Sequence, residues 1–171
     1  PSREAFKLLE NEGLIDYIPN RGCFAKGFTK QDVDDIYAVR EALEELAVRW
    51  AVERITPEEI TALEEQVDLM EFYTKKKDKK KVLELNASFH AVIYAAARSR
   101  FLAQVLRSYK EYIEKTRKSI FYEQAYLENI LSEHRAIFEA MRERDTEKAV
   151  GAIAKHLEAS QDRAESVWNL K

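Results

Sequence analysis

The chain has 171 residues, with 28 Lys and Arg against 31 Asp and Glu, a formal net charge of −3, 46% hydrophobic residues, and only four glycines and three prolines. That balance excludes a disordered chain and favours a helix-rich one. Overall charge offers no reason to bind nucleic acid, although a local contact surface stays open. No apolar run approaches the length of a membrane span, no signal peptide is visible, and the single cysteine, Cys23, rules out an internal disulfide framework and fits a reducing cytoplasm.

Residues 2–12 place Ala5, Phe6, Leu8 and Leu9 at helical spacing, and Gly13 is a natural stop. Two short apolar runs follow, Leu14 to Ile18 and Cys23 to Ala25, around Pro19-Asn20-Arg21-Gly22, which predicts a β-hairpin. A long helix is predicted over 28–54, opened by a capping box of Thr29 and Asp32 and striped by Ile36, Val39, Leu43, Leu46, Ala47 and Trp50. Thr56-Pro57-Glu58-Glu59 restarts a helix with Thr as N-cap, Pro at N1 and Glu at N3, running to about Tyr73. Lys75 to Lys81, six lysines broken by Asp78, reads as a solvated loop between helices. Further helices are predicted over 82–97, 102–122 and 127–144, with Ser99 capping the second of these. A last helix, capped by Asp145 or Thr146, carries Ala149, Ile153 and Leu157. No strand pattern appears after residue 28. The fold class is all-α: an antiparallel six-helix bundle behind a helix and a hairpin.

The sequence contains three histidines, His90, His134 and His156, each on the apolar side of a different helix. Any one of them alone reads as a core histidine with a hydrogen-bonded ring. Three imidazoles facing one interior, with none at the surface, point instead to a transition-metal site. Asn86, one turn before His90, offers an amide oxygen on the same face. Neutral imidazoles suit Zn²⁺ or Ni²⁺, but with Asn86 as fourth ligand the set carries no negative charge, so a carboxylate ligand is expected to strengthen metal binding. Arg40 lies on the core-facing stripe of its helix, where a guanidinium needs an anion. That anion is either Glu44, four residues on, or a bound carboxylate. Tyr37, Tyr94 and Tyr122 read as core aromatics. Three histidines with an open position is also the plan of a zinc hydrolase or hydratase. Against that reading, Glu133 beside His134 is expected to face elsewhere, since sequence neighbours on a helix sit about 100° apart.

Several of these segments together resemble the GntR family of bacterial transcription regulators, in the FadR-like subgroup with an FCD-type helical effector domain. Ser2-Arg3-Glu4-Ala5-Phe6-Lys7-Leu8-Leu9 through Gly13-Leu14 is similar to that family's recognition helix, and Pro19-Asn20-Arg21-Gly22-Cys23-Phe24 to its wing. Asp34-Asp35-Ile36-Tyr37-Ala38-Val39-Arg40 through Glu44 is similar to the opening of its effector domain. The metal-binding members carry an aspartate four residues before the first of three histidines; the matching positions here are Asn86, His90, His134 and His156, with Asn in place of Asp. The resemblance implies that residues 1–27 are the C-terminal part of a winged helix-turn-helix whose upstream part is missing, and that 28–171 is an effector-binding and dimerisation domain. It implies a cytoplasmic homodimer that is no enzyme. Its partners would be operator DNA, through Arg3, Arg21 and Gly22, and a small carboxylate held by Arg40, Asn86 and the histidines, with a divalent metal such as Zn or Ni. In residues 1–27, Arg3, Lys7, Arg21 and Lys26 only balance four acidic residues, so the DNA assignment comes from the resemblance and the order of the elements.

Overall fold

The computed structural model describes residues 15–18, 22–25, 29–116 and 124–168, and the chain divides into two compact units, residues 1–34 and 35–171. In the first unit the predicted hairpin is present. Strand β1 (Ile15–Ile18) pairs antiparallel with β2 (Gly22–Ala25), in a register that sets Ile15 opposite Ala25 and Ile18 opposite Gly22. The predicted helix over 2–12 and the side chains of Arg3 and Arg21 lie outside the described residues; Gly22 opens β2.

The second unit holds six helices: α1 (Lys30–Arg54), α2 (Pro57–Lys75), α3 (Lys79–Ala96), α4 (Arg100–Thr116), α5 (Gln124–Arg142) and α6 (Thr146–Trp168). The N-terminal signals act as read. The Thr29 hydroxyl accepts from the Asp32 N–H at 3.1 Å while the Asp32 carboxylate accepts from the Thr29 N–H at 2.7 Å. Thr56 and Glu59 form the same reciprocal pair at the start of α2. Ser99 accepts from Leu102 N–H, and of the two residues considered for α6 it is Asp145 that caps, accepting from Lys148 N–H.

Two expectations are corrected, the first being the stripe of α1: Val39 and Leu46 are exposed, because the buried face runs through Tyr37, Arg40, Glu44, Ala47, Val48 and Ala51. The second is the lysine-rich loop, which shrinks to Lys76, Lys77 and Asp78, because α2 runs on to Lys75 and Asp78 caps a helix that starts at Lys79. The helix ends are made without glycine. Lys77 and Arg144 take the left-handed conformation, with φ of 58° and 55°. Around them run the paired bonds of a Schellman motif: Asp78 N–H to Tyr73 C=O with Lys77 N–H to Thr74 C=O, and Asp145 N–H to Ala140 C=O with Arg144 N–H to Met141 C=O. With four glycines in the chain, the usual glycine stop was not there to be read.

Helix α2 packs on α3 and α5, α3 on α4 and α5, and α5 on α6. The core runs through Ala47, Val48, Ala51 and Val52 of α1, Leu63, Val67 and Met70 of α2, Phe89 and Ile93 of α3, Ile137, Phe138 and Met141 of α5, and Ile153 of α6. Two arginines tie the C-terminal end of α1 to its neighbours: Arg54 donates to the Ala97 carbonyl, and Arg144 to the carbonyls of Val52 and Ile55. Among the described residues no helix is long and apolar enough to cross a membrane.

Candidate metal centre

The buried surface of the bundle changes character along its helices. Toward the N-terminal half of α1 the buried residues are Tyr37, Arg40 and Glu44. They meet His90 from α3, His134 from α5, and His156 and Ser160 from α6, all buried. The three rings form one cluster, with centroids 5.4 Å (His90–His134), 5.1 Å (His90–His156) and 4.7 Å (His134–His156) apart. Phe89 closes one side, edge-on to His134 with centroids 4.9 Å apart.

The ring nitrogens are sorted by their partners. His134 Nδ1 lies 2.7 Å from the Ile130 carbonyl, which can only accept, so Nδ1 carries the proton. His156 Nδ1 lies 2.8 Å from Glu133 Oε2 and is likewise the donor. His90 Nδ1 stands 3.0 Å from Glu44 Oε2, close enough for an ion pair but out of line for a hydrogen bond. Two Nε2 atoms, those of His134 and His156, are then left with a bare lone pair, whereas His90, with no acceptor in line at Nδ1, is free to carry its proton on Nε2 and donate to His156. The Nε2 atoms of His90 and His156 face each other at 3.2 Å, and that of His134 is buried with no hydrogen-bond partner. One nitrogen from each ring falls within 4.8 Å of the others.

Burial, and then the neighbouring His90, push the His134 imidazolium down to about 3. Burial, then His134 and His90, push His156 well below the ordinary histidine range. Both are therefore neutral near pH 7, the form in which imidazole binds metal. Neutral imidazole nitrogens brought this close suit a shared cation. Two nitrogens bound at ~2.05 Å in a tetrahedral set lie roughly 3.3 Å apart, close to the observed His90–His156 spacing. The residues present fit a divalent transition metal.

Glu44 lies between Arg40 and His90. Burial alone would raise its carboxyl, but the charges of Arg40 and then His90 hold it well below the usual carboxylate range. Of the two anions considered for Arg40, the structure shows Glu44: Nε pairs with Glu44 Oε1 at 2.6 Å, while Nη1 is buried with no hydrogen-bond partner. The phenol of Tyr94 is raised well above its ordinary value by burial and then by Glu44, and stays a neutral hydroxyl. Asn86 is half-buried on α3, one turn before His90.

Sequence reasoning missed Glu133. Its carboxylate turns to His156 on the next helix, and the Arg163 guanidinium grips it at 2.7 and 3.0 Å. The 100° argument about His134 holds; it did not consider a histidine from another helix. A signal was available, because Glu133 sits three after Ile130 and four before Ile137, on the edge of the buried stripe of α5.

The FCD domain family model matches residues 35–159. The HTH-type transcriptional regulator YdhC of Bacillus subtilis is 32% identical over 158 residues, covering 91% of this chain and 70% of that protein. The HTH-type transcriptional repressor RspR of Escherichia coli is 27% identical over 171 residues, covering 100% of this chain and 74% of the repressor. Among solved structures, E. coli McbR/YncC superposes with a TM-score of 0.76 at 20% identity, over 96% of this chain and 83% of that one. The metal-free FCD domain of TM0439 superposes with a TM-score of 0.72 at 14% identity, over 85% of this chain and 100% of that domain.

Proposed function

Since the chain belongs to the GntR family of helix-turn-helix transcription regulators, in the subgroup with an FCD-type effector domain, we propose that its helical unit senses a small carboxylate at a metal held by His90, His134 and His156, and passes that signal to operator binding. Regulators of this family bind operator DNA, and the chain is a regulator, not an enzyme. The observation that carries the sensing proposal is the meeting of three buried imidazoles from three helices, one ring nitrogen from each lying within 4.8 Å of the others. Asn86 is the proposed fourth ligand. The bound metal would supply a fixed positive charge, and Arg40, through its unpartnered Nη1, would hold the carboxylate that completes it. Because Asn86 adds no charge, metal and carboxylate should each tighten the other's binding. No observation favours the hydrolase or hydratase reading, as Glu133 is engaged by Arg163 and His156.

In the same proposal, residues 1–27 are the distal part of the DNA-binding domain, with Arg3 at base edges in the major groove and Arg21 and Gly22 at the wing tip. Residues 28–171 form the effector domain of a cytoplasmic homodimer, in which the ligand acts by binding one arrangement of the two DNA-binding domains more tightly than the other.

Thermal melts with Zn²⁺ or Ni²⁺, alone and with a panel of small carboxylates, test the reading. A ligand at about 100 times its Kd adds ~2.7 kcal/mol of stability. The shift with metal and carboxylate together should exceed the sum of the two separate shifts, and His134→Ala and His156→Ala should each weaken it without changing operator affinity of the full-length protein. A melting temperature indifferent to every metal and carboxylate would end the proposal.

A further inference from the structure

Two of the three histidines are backed by the same device. In one, Arg40 of α1 holds Glu44, and Glu44 stands behind His90 of α3. In the other, Arg163 of α6 holds Glu133 of α5, and Glu133 stands behind His156 of α6. Each carboxylate meets its histidine at Nδ1, the nitrogen turned away from the cluster. Glu44 is 1% exposed, and a carboxylate buried so deeply is costly unless each oxygen has a use. One oxygen takes the Arg40 Nε–H; the other has His90 Nδ1 as its neighbour.

We propose that Glu44 and Glu133 are positioning residues of the metal centre: Glu133, hydrogen-bonded to His156, keeps that ring in the Nδ1–H form with Nε2 turned inward, and Glu44, beside His90 Nδ1, does the same for His90 once the ring turns into line, each carboxylate sharing its charge between an arginine and an imidazole. The proposal rests on the reading of the histidine cluster as a metal site. The chemistry is general. A carboxylate accepting from one imidazole nitrogen fixes the tautomer and makes the other nitrogen a stronger donor. His134 has only a neutral carbonyl behind it, so the two carboxylates provide the anionic support. The roles of the two are also separable. Glu133 is already in line with His156 at 2.8 Å, whereas Glu44 is near His90 but out of line. Glu133 should therefore dominate tautomer control in the metal-free protein.

A mere ion pair holding α5 to α6 would affect stability alone, so the test reads tautomer and affinity. Long-range ¹⁵N–¹H spectra of the imidazoles, recorded without metal, report which nitrogen of His156 is protonated. Competition against a chromophoric chelator reports Zn²⁺ affinity. The wild type should show His156 as the Nδ1–H form. Glu133→Ala should mix or reverse the tautomer and weaken Zn²⁺ about 10–100-fold. Glu133→Gln, whose amide oxygen still accepts, should keep the tautomer and lose only part of the affinity; it also serves if the alanine variant does not fold. Glu44→Gln should weaken Zn²⁺ with the His156 tautomer unmoved. Unchanged tautomer and unchanged affinity in Glu133→Ala would overturn the proposal, and lost affinity with the tautomer intact would overturn its positioning half. A wild type that takes up no Zn²⁺ would overturn the metal reading itself, while the metal-free spectra still decide whether Glu133 sets the tautomer.

Discussion

Helix α1 faces two different interiors. From Ala47 to Val52 its buried residues are Ala47, Val48, Ala51 and Val52; from Tyr37 to Glu44 they are Tyr37, Arg40 and Glu44. In helices α5 and α6 the polar groups stand among apolar ones, His134 between Ile130 and Ile137, and His156 beside Leu157 with Ser160 beyond. The apolar region needs only matching volume, and its stability is spread over many contacts. The polar region needs each group's partner, so its stability is concentrated in a few pairs and is lost sharply when one member goes. A binding site can be built in the second kind of interior because some of its atoms, such as Arg40 Nη1 and His134 Nε2, lack a protein partner.

The contrast can be broken most sharply at Arg40. Arg40→Ala strands a buried Glu44 and should cost about 3–5 kcal/mol in urea unfolding. Replacing both, Arg40→Met with Glu44→Leu, should recover most of that loss and abolish the response to carboxylates. If the double variant is no more stable than the single, the pair is not what the single change disrupts. In the apolar region, Leu63→Ala should cost about 2–5 kcal/mol by cavity formation, with Zn²⁺ affinity unaltered. A change in that affinity would show that the two interiors are coupled.

Acid should act on the polar region. Its signs follow from three depressed groups, His134, His156 and Glu44, and His156 acts with the same sign as His134. His134 falls from 6.5 to about 3 in the fold, so below pH 6.5 the unfolded chain takes a proton that the folded chain refuses. This contribution is complete above 6.5 and is lost as pH falls toward 3, at about 1.4 kcal/mol per unit. Glu44, depressed by Arg40 and His90 against the pull of burial, adds a loss of the same sign below the ordinary carboxylate range. Urea midpoints measured from pH 7 to 4 should fall steadily in wild type and less steeply in His134→Gln. The smallest effect is expected away from both interiors. Lys77→Gly, at a left-handed φ of 58°, should stabilise by about 0.5–1 kcal/mol, and a loss of stability there would show that the lysine side chain matters more than its backbone strain.

The bundle itself was legible in the sequence because helix starts are local. Thr29, Thr56, Ser99 and Asp145 sit where their side chains meet an unsatisfied N–H within three residues. The helix stops were harder to read, since Lys77 and Arg144 adopt a conformation that their side chains do not announce. The histidines stood out through their scarcity and their place on apolar faces. Glu133 did not, because its partner is on another helix, 23 residues away.

The sequence alone therefore determined where the helices start and, through local motifs, the family; it did not fix the inward face of α1, where Val39 and Leu46 are exposed and Glu44, Val48 and Ala51 are buried. Only the tertiary structure decided which inward groups meet: that Arg40 serves Glu44 with one nitrogen and leaves another unpaired, that Glu133 turns to His156, and that one nitrogen from each of the three histidines converges. The reason is physical. The choice of nitrogen on an imidazole is set by what packs behind it, and those partners come from other helices or from a particular turn of the ring, neither of which a spacing rule within one helix can reach.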